Sequence, residues 1–70
     1  MKYYLVNVFS ENGGYSFVVY TELKGDDSIL NGCLNDGLFK NEEDVYVSEV
    51  LPASDEEVSQ FISWDSVYTV

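Results

Sequence analysis

The sequence contains no histidine and no arginine, and its basic residues are three lysines. General acid–base catalysis most often uses His, and a Ser or Cys nucleophile usually needs a neighbouring base. Transition-metal sites depend on His or on several Cys ligands, whereas Cys33 is the only cysteine. These absences argue against an enzyme, a metal site and a bound cofactor.

The single cysteine also bears on the cellular compartment. One cysteine excludes an intrachain disulfide framework and fits a reducing cytoplasm. The N-terminal stretch MKYYLVNVFSENGG lacks the long apolar segment and the small-residue cleavage site of a signal peptide. No apolar run approaches the roughly 20 residues needed to cross a bilayer. We therefore expect a cytoplasmic protein with no membrane partner.

Negative charge is the outlying property of the composition. Thirteen acids against three lysines give a net charge of −10. Residues 41–70 carry eight of these acids and no basic residue. Such a surface repels nucleic acid and anionic membrane and attracts basic proteins. The alternative is that the acids serve solubility alone, which Asp and Glu promote efficiently.

The 70 residues are predicted to form a single domain, 1–70. The β-branched and aromatic runs KYYLVNVFS and YSFVVYT predict the first two strands. Asn12-Gly13 between them suits the positive φ angles of a tight hairpin turn, so the strands should pair antiparallel. Both faces of strand 1 are largely apolar, which indicates an interior strand or one whose second face is covered.

The stretch DDSILNGCLNDG predicts a first helix. One of Asp26, Asp27 and Ser28 is expected to accept N–H groups of the first turn. Gly37 suits the left-handed conformation that ends many helices. The predicted buried stripe is formed by Ile29, Leu30, Cys33 and Leu34. Gly32 weakens the middle of this helix by about 1 kcal/mol relative to Ala, which points to a close neighbour.

The second half of the chain predicts two strands and another helix. VYVSEVL forms strand 3, which Pro52 ends, and SVYTV forms strand 4. Ser54 and Glu57 have the spacing of a capping box at the start of a helix, whose buried stripe is Val58, Phe61 and Ile62. The predicted order is β-β-α-β-α-β. We expect an α+β fold with an antiparallel or mixed sheet and two short helices on one face.

Two further ligand sites were tested against the sequence and fail. In NDGLFKNEED, aligning Gly37 with the invariant glycine of a calcium loop places Gly32 and Leu34 at the first and third positions, where side-chain ligands are needed. ENGGYS is Gly-rich but lacks the Lys and the following helix of a phosphate-binding loop. Direct nucleic-acid binding is disfavoured because few cations are available to neutralise phosphates.

The remaining signal is the spacing of the acids. One strand of duplex DNA carries one charge per roughly 3.4 Å, and alternate residues of a β-strand lie roughly 6.5–7 Å apart. Acids on strands and first helical turns can therefore match every second phosphate. Aromatic neighbours would supply anchors, as Tyr and Trp do at interfaces. The predicted partner-binding residues are Glu42, Glu43, Asp44, Glu49, Asp55, Glu56, Glu57, Asp65, Tyr46, Trp64 and Tyr68.

In length, single cysteine, charge and α+β pattern, the chain resembles the small acidic inhibitors of phages and other mobile elements, including anti-CRISPR and anti-restriction proteins. The resemblance is one of overall character and implies no particular site residues. It implies a non-enzymatic inhibitor that mimics nucleic acid and occupies a basic protein surface. The alternative is a structural or oligomer-forming domain, for example a homodimer formed through a sheet edge or an apolar sheet face.

Overall fold

Four strands and two helices make up the structure, a computed structural model that describes residues 1–10, 13–38 and 45–70, without the side chains of residues 10 and 45–47. The elements are β1 (Lys2–Ser10), β2 (Gly13–Thr21), α1 (Asp26–Asn35), β3 (Val45–Pro52), α2 (Asp55–Ser63) and β4 (Val67–Thr69). The predicted α+β class and β-β-α-β-α-β order are confirmed.

The strands form one mixed sheet in the order β3-β1-β2-β4. β1 pairs antiparallel with β2 and with β3, and β4 pairs parallel to β2. The predicted antiparallel pairing of the first two strands is therefore confirmed, although Asn12 of the predicted turn lies outside the described residues. β1 is an interior strand, which explains why both of its faces are apolar.

The hydrophobic core lies between the sheet and α1, on what we call the α1 face. In the register of the sheet, Val6 of β1 is opposite Phe17 of β2 and Val50 of β3, so all three side chains point to this face. Ile29 and Cys33 of α1 cover them. The buried cluster consists of Val6, Val8, Phe17, Val19, Ile29, Cys33 and Val50.

The second helix covers the opposite surface of the sheet, which we call the α2 face. Val18 points to that side and is fully buried, yet it lies outside the core cluster. α2 contacts β2 and β4, and its half-buried Val58 and Phe61 are not among the residues packed on the core of the α1 face. The expectation of both helices on one face is therefore wrong.

The direction of the two crossovers explains the separation of the helices. The β2-α1-β3 connection passes over β1 in one direction, and the β3-α2-β4 connection returns across the sheet in the other. Both join parallel strands, and such crossovers are right-handed almost without exception. Two right-handed crossovers in opposite directions place their helices on opposite faces of the sheet.

The ends of α1 confirm one prediction and correct another. Gly25 is the N-cap, and no side chain caps the helix. Asp26, Asp27 and Ser28 already lie within the first turn, where the acids still favour the positive end of the helix dipole. At the other end Gly37 has a φ of 74°. The N–H of Leu38 donates to the Cys33 carbonyl at 3.0 Å, which completes the predicted helix-ending motif.

Gly32 is in close contact with another element, as its position in the middle of α1 suggested. A Cβ added there would lie 2.8 Å from Cδ1 of Leu23 and 3.9 Å from Cβ of Val70. The missing side chain lets α1 approach the segment after β2 and the end of the chain. This close approach offsets the helix propensity that glycine loses.

The start of α2 is the predicted capping box. The Ser54 hydroxyl accepts the N–H of Glu57 at 3.2 Å, and the Glu57 carboxylate accepts the N–H of Ser54 at 3.0 Å. Of the predicted buried stripe, Val58 and Phe61 are half-buried, whereas Ile62 is 57% exposed. The buried stripe of α2 is thus narrower than predicted, and the strands that the helix mainly contacts are β2 and β4.

Candidate functional site

Two predicted partner-binding residues lie side by side where α2 ends. Trp64 is the C-cap residue of the helix, and its side chain is 58% exposed. Its ring packs edge-on against Phe61, with the ring centroids 5.2 Å apart and the planes at 75°. The contact limits the motion of the indole while leaving most of its surface in solvent. Exposed and restrained Trp side chains are favourable anchors for a protein partner.

The next residue, Asp65, has a backbone conformation that most non-glycine residues avoid. Its φ is 55°, the only positive φ among the non-glycine residues that the structure describes. Its N–H donates to the Ile62 carbonyl at 3.0 Å, and that of Ser66 donates to Phe61 at 2.9 Å. Glycine is the usual residue at this position of the motif, because the left-handed conformation costs most other residues about 1–2 kcal/mol, although Asn and Asp adopt it more readily than the rest.

The charge of Asp65 is also unfavourably placed for the helix. The C-terminal end of a helix carries a partial negative charge, and cations there are stabilising by about 0.3–1 kcal/mol. The last turn of α2 contains no basic residue, and Asp65 adds an acid just after the C-cap. Asp65 is therefore less suited than glycine to the backbone conformation at its position, and its charge opposes the helix dipole.

The acids at the start of α2 are placed favourably instead. Asp55, Glu56 and Glu57 occupy the first turn, where negative charge stabilises the helix. Glu57 is half-buried and engaged in the capping box. Asp55 and Glu56 are exposed. A structural role thus explains Glu57 fully, and only its two neighbours present carboxylates that are free to contact a partner.

Glu49 lies on the same sheet face as α2 but on the far strand. Its Oε1 accepts a hydrogen bond from Nδ2 of Asn7 at 2.8 Å, and the hydroxyl of Ser16 donates to Oδ1 of Asn7. The three side chains form a polar row across β3, β1 and β2. Strand spacing separates β3 from β2 by about 10 Å, so Glu49 stands apart from the acids of α2.

Of the other predicted residues that the structure describes, Tyr68 does not lie on this surface. Tyr68 shares the α1 face with Phe17, against which its ring packs edge-on at 5.8 Å, and it is 39% exposed. The side chain of Tyr46 lies outside the described part of the structure. The residues of the acidic stretch Glu42, Glu43 and Asp44 also lie outside the described residues.

The described lysines are gathered at one place. Lys2 and Lys24 both line a cavity of about 530 Å³ beside the start of β1, together with Glu22. Within residues 1–10, 13–38 and 45–70, the acids form no ion pair, and their side-chain hydrogen bonds are those of Glu49 and Glu57. The negative charge of the α2 face is therefore not compensated by the described cations.

Exposed apolar side chains accompany the acids on the α2 face, and the sequence analysis singled out none of them. Tyr3 is 37% exposed, Phe9 45% and Leu51 43%. All three belong to β1 or β3, the half of the sheet that α2 does not cover, because α2 contacts β2 and β4. We call them the apolar strip. The apolar alternation on both faces of strand 1 was the signal that could have revealed it.

The thiol of Cys33 has the properties of a core residue. It is fully buried, and this burial, reinforced by the nearby charge of Asp36, raises its pKa to about 11. A protonated, inaccessible thiol is a poor nucleophile. Among the described residues, no group of three or more Cys, Asp or Glu is arranged to hold a metal ion. Neither described helix has the length and apolarity required to cross a membrane.

Comparisons with known proteins give no relative. No protein-family model matches the chain, and neither the curated protein sequences nor the solved structures contain a match. The described components of this surface are the acids of α2 with Trp64 and Asp65 at its end, Glu49 on β3, and the apolar strip on β1 and β3.

Proposed function

We propose that this protein is a non-enzymatic inhibitor that occupies the basic, nucleic-acid-binding surface of a partner protein. Its acids stand in for phosphates, as in the small acidic anti-CRISPR and anti-restriction proteins that it resembles in overall character. The described part of the surface is the α2 face, and the sequence adds Glu42, Glu43 and Asp44 as predicted partner-binding residues. Charge attracts the partner and speeds association, and Trp64 contributes an apolar anchor.

The observation that carries the proposal is the pair Trp64–Asp65. An acid that serves solubility can stand anywhere on the surface, and a helix N-terminus would be a stabilising place for it. Asp65 stands where glycine would suit the backbone better and where its charge opposes the helix dipole, next to an exposed Trp. A residue that breaks local rules without a compensating contact in its own fold is characteristic of functional sites. A basic partner would supply the missing compensation.

The test is a competition experiment with variants of single charges. A partner is first captured from lysate at low and at high salt, and nucleic acid then competes with the protein for it at matched ionic strength. Asp65→Asn removes the charge and keeps a residue that tolerates the left-handed conformation. Asp36→Asn is the matched control, because Asp36 is an exposed acid at the C-terminal end of α1.

We expect Asp65→Asn to weaken the complex by about threefold to tenfold, mainly by slowing association, because one exposed charge contributes modestly. Its free energy of unfolding should stay equal or rise. Neutralising Asp55, Glu56 and Glu57 together, or Glu42, Glu43 and Asp44 together, should weaken the complex further. Asp36→Asn should change the affinity little. Simultaneous binding of the protein and nucleic acid to the partner would show that the acids do not replace phosphates.

A further inference from the structure

The outer edge of β3 is the longest open edge of the sheet. β3 lies at the end of the strand order and pairs on one side only, with β1. It has 8 residues, whereas β4 at the other edge has 3. An unpaired edge presents free backbone N–H and C=O groups that can pair with another chain. Among the described residues, the backbone of β3 hydrogen-bonds only to β1.

The hydrogen bonds of the sheet determine which groups of β3 point outward. The N–H of Ala53 donates to the Tyr3 carbonyl at 3.2 Å, so this opposed pair is hydrogen-bonded. In an antiparallel ladder every second residue bonds to the neighbouring strand. Glu49 and Leu51 therefore bond to β1, and the backbone groups of Ser48 and Val50 face away from the sheet.

The pairing of β2 gives the same alternation independently. The N–H of Val18 donates to Ser66, and the carbonyl of Tyr20 accepts from Val70, both on the β4 side. The odd-numbered residues of β2 therefore bond to β1, where their partners are the even-numbered residues. The odd-numbered residues of β1 are left to bond to β3. Pro52, the next outward-facing position of β3, has no N–H, so pairing stops there.

We propose that the partner docks by adding an extended basic segment to this edge as a fifth strand. The proposal rests on the proposed function and specifies its binding mode. On the α2 face an added strand would lie beside Glu49 and the exposed Leu51, which are two residues apart and share that face. The matching segment therefore carries a Lys or Arg beside Glu49 and an apolar residue beside Leu51. The bond from Asn7 already orients the Glu49 carboxylate.

Charge favours a basic segment over a second copy of this chain. Each copy carries a net charge of −10, so association of two copies is opposed by repulsion. In the two-fold register that pairs Ser48 with Val50, the two Glu49 side chains would stand directly opposite one another, which is destabilising. A cationic strand would instead be attracted by the net charge of the protein, and its Lys or Arg would lie opposite Glu49 in place of a second carboxylate.

The probe is a short, end-blocked peptide in which lysine and valine are two positions apart and threonine fills the positions between them, so that both can lie on the α2 face. Amide hydrogen exchange is the readout. In the free protein the amides of Ser48 and Val50 should exchange faster than those of Glu49 and Leu51. Saturation with the peptide should slow the first pair by about tenfold or more. The same peptide with every backbone nitrogen methylated keeps its charge, but its methyl groups keep it from approaching the edge and remove its donors, so it should leave the exchange unchanged.

A protein variant tests the same edge from the other side. Ser48→Pro removes an outward-facing N–H, a position at which edge strands tolerate proline. It should weaken peptide binding by about fivefold to tenfold through loss of one hydrogen bond. Ser48→Thr keeps the N–H and should bind like the wild type. Continued protection of the Glu49 and Leu51 amides shows that the variant retains the sheet.

Three results would overturn the docking mode: unchanged exchange of Ser48 and Val50 at saturating peptide, equal slowing by the methylated peptide, or protection that rises with protein concentration because a second copy fills the edge. A captured partner separates this proposal from the proposed function. If it competes with nucleic acid but leaves these amides unprotected, the function stands and the docking mode fails. If it protects them while nucleic acid remains bound, the edge is the docking site and mimicry fails.

Discussion

Cys33 and Asp65 show how differently two residues of one small domain are used. The Cys33 thiol is enclosed by the core of the α1 face and retains its proton over the neutral pH range, because burial raises its pKa to about 11. Asp65 stands in solvent in a conformation that glycine would adopt more easily. Packing explains the first residue completely. No contact within the described chain explains the second.

The raised pKa of Cys33 predicts a loss of stability in alkali. The unfolded chain releases the thiol proton near pH 9, whereas the native protein holds it until about pH 11. The contribution of this group is therefore complete below pH 9 and declines as pH rises toward 11. In urea unfolding, the stability difference between wild type and Cys33→Ala should narrow from neutral pH to about pH 10.5.

A thiol reagent checks the burial on which that prediction depends. Native Cys33 should react at least about a hundredfold more slowly than the denatured chain, since labelling requires opening of the core. Cys33→Ala removes the signal and serves as the blank. Rapid labelling of the native protein, or a stability difference that is constant with pH, would contradict the placement of Cys33 in the core.

At the scale of elements, the two helices begin by different means. α2 uses the side chains of its capping box, and α1 begins at Gly25 without a side-chain cap. The capping box was predictable because it depends on residues three positions apart. The start of α1 was not, because the turn that leads out of β2 places Gly25 at the cap and moves the three candidate residues into the helix.

This difference predicts unequal effects of two serine substitutions. Ser54→Ala should lower the free energy of unfolding by about 1 kcal/mol, since it leaves the Glu57 N–H without its partner. Ser28→Ala is the matched control, an exposed serine in the first turn of the helix that has no side-chain cap. It should change stability by less than about 0.5 kcal/mol. Chemical unfolding of both variants measures the comparison, and equal losses would contradict it.

At the scale of the whole molecule, a net charge of −10 is confined to a body measuring 32 × 22 × 17 Å. The screening length is about 10 Å at 0.1 M salt, so at low salt most of the acids repel one another across the protein. The described residues offer no ion pairs that would offset this repulsion. The compact state should therefore be destabilised by its own charge.

Added salt should accordingly stabilise the protein. We expect NaCl up to about 0.3 M to raise the melting temperature by several degrees, because the ions screen the repulsion in the folded state. The variant with amides in place of Asp55, Glu56 and Glu57 carries less charge and should gain less. A thermal melt at a series of salt concentrations tests this, and a flat or falling melting temperature would show that repulsion does not limit stability.

The sequence by itself determined the features that depend on neighbours along the chain. These are the order of elements, the hairpin pairing of β1 and β2, the capping box of α2, the left-handed Gly37 and the buried stripe that contains Cys33. Each follows from residue spacing or from the conformational range of one residue. The net charge of −10 also follows from composition.

Only the tertiary structure decided how these elements meet. The parallel placement of β4, the opposite faces of α1 and α2, and the open edge of β3 result from the crossovers, which join strands that are distant in the sequence. The same arrangement separates Tyr68 from Trp64 and places Glu49 beside the apolar strip. A sequence pattern reports which face of an element is apolar, whereas the handedness of the connections decides which elements that face will meet.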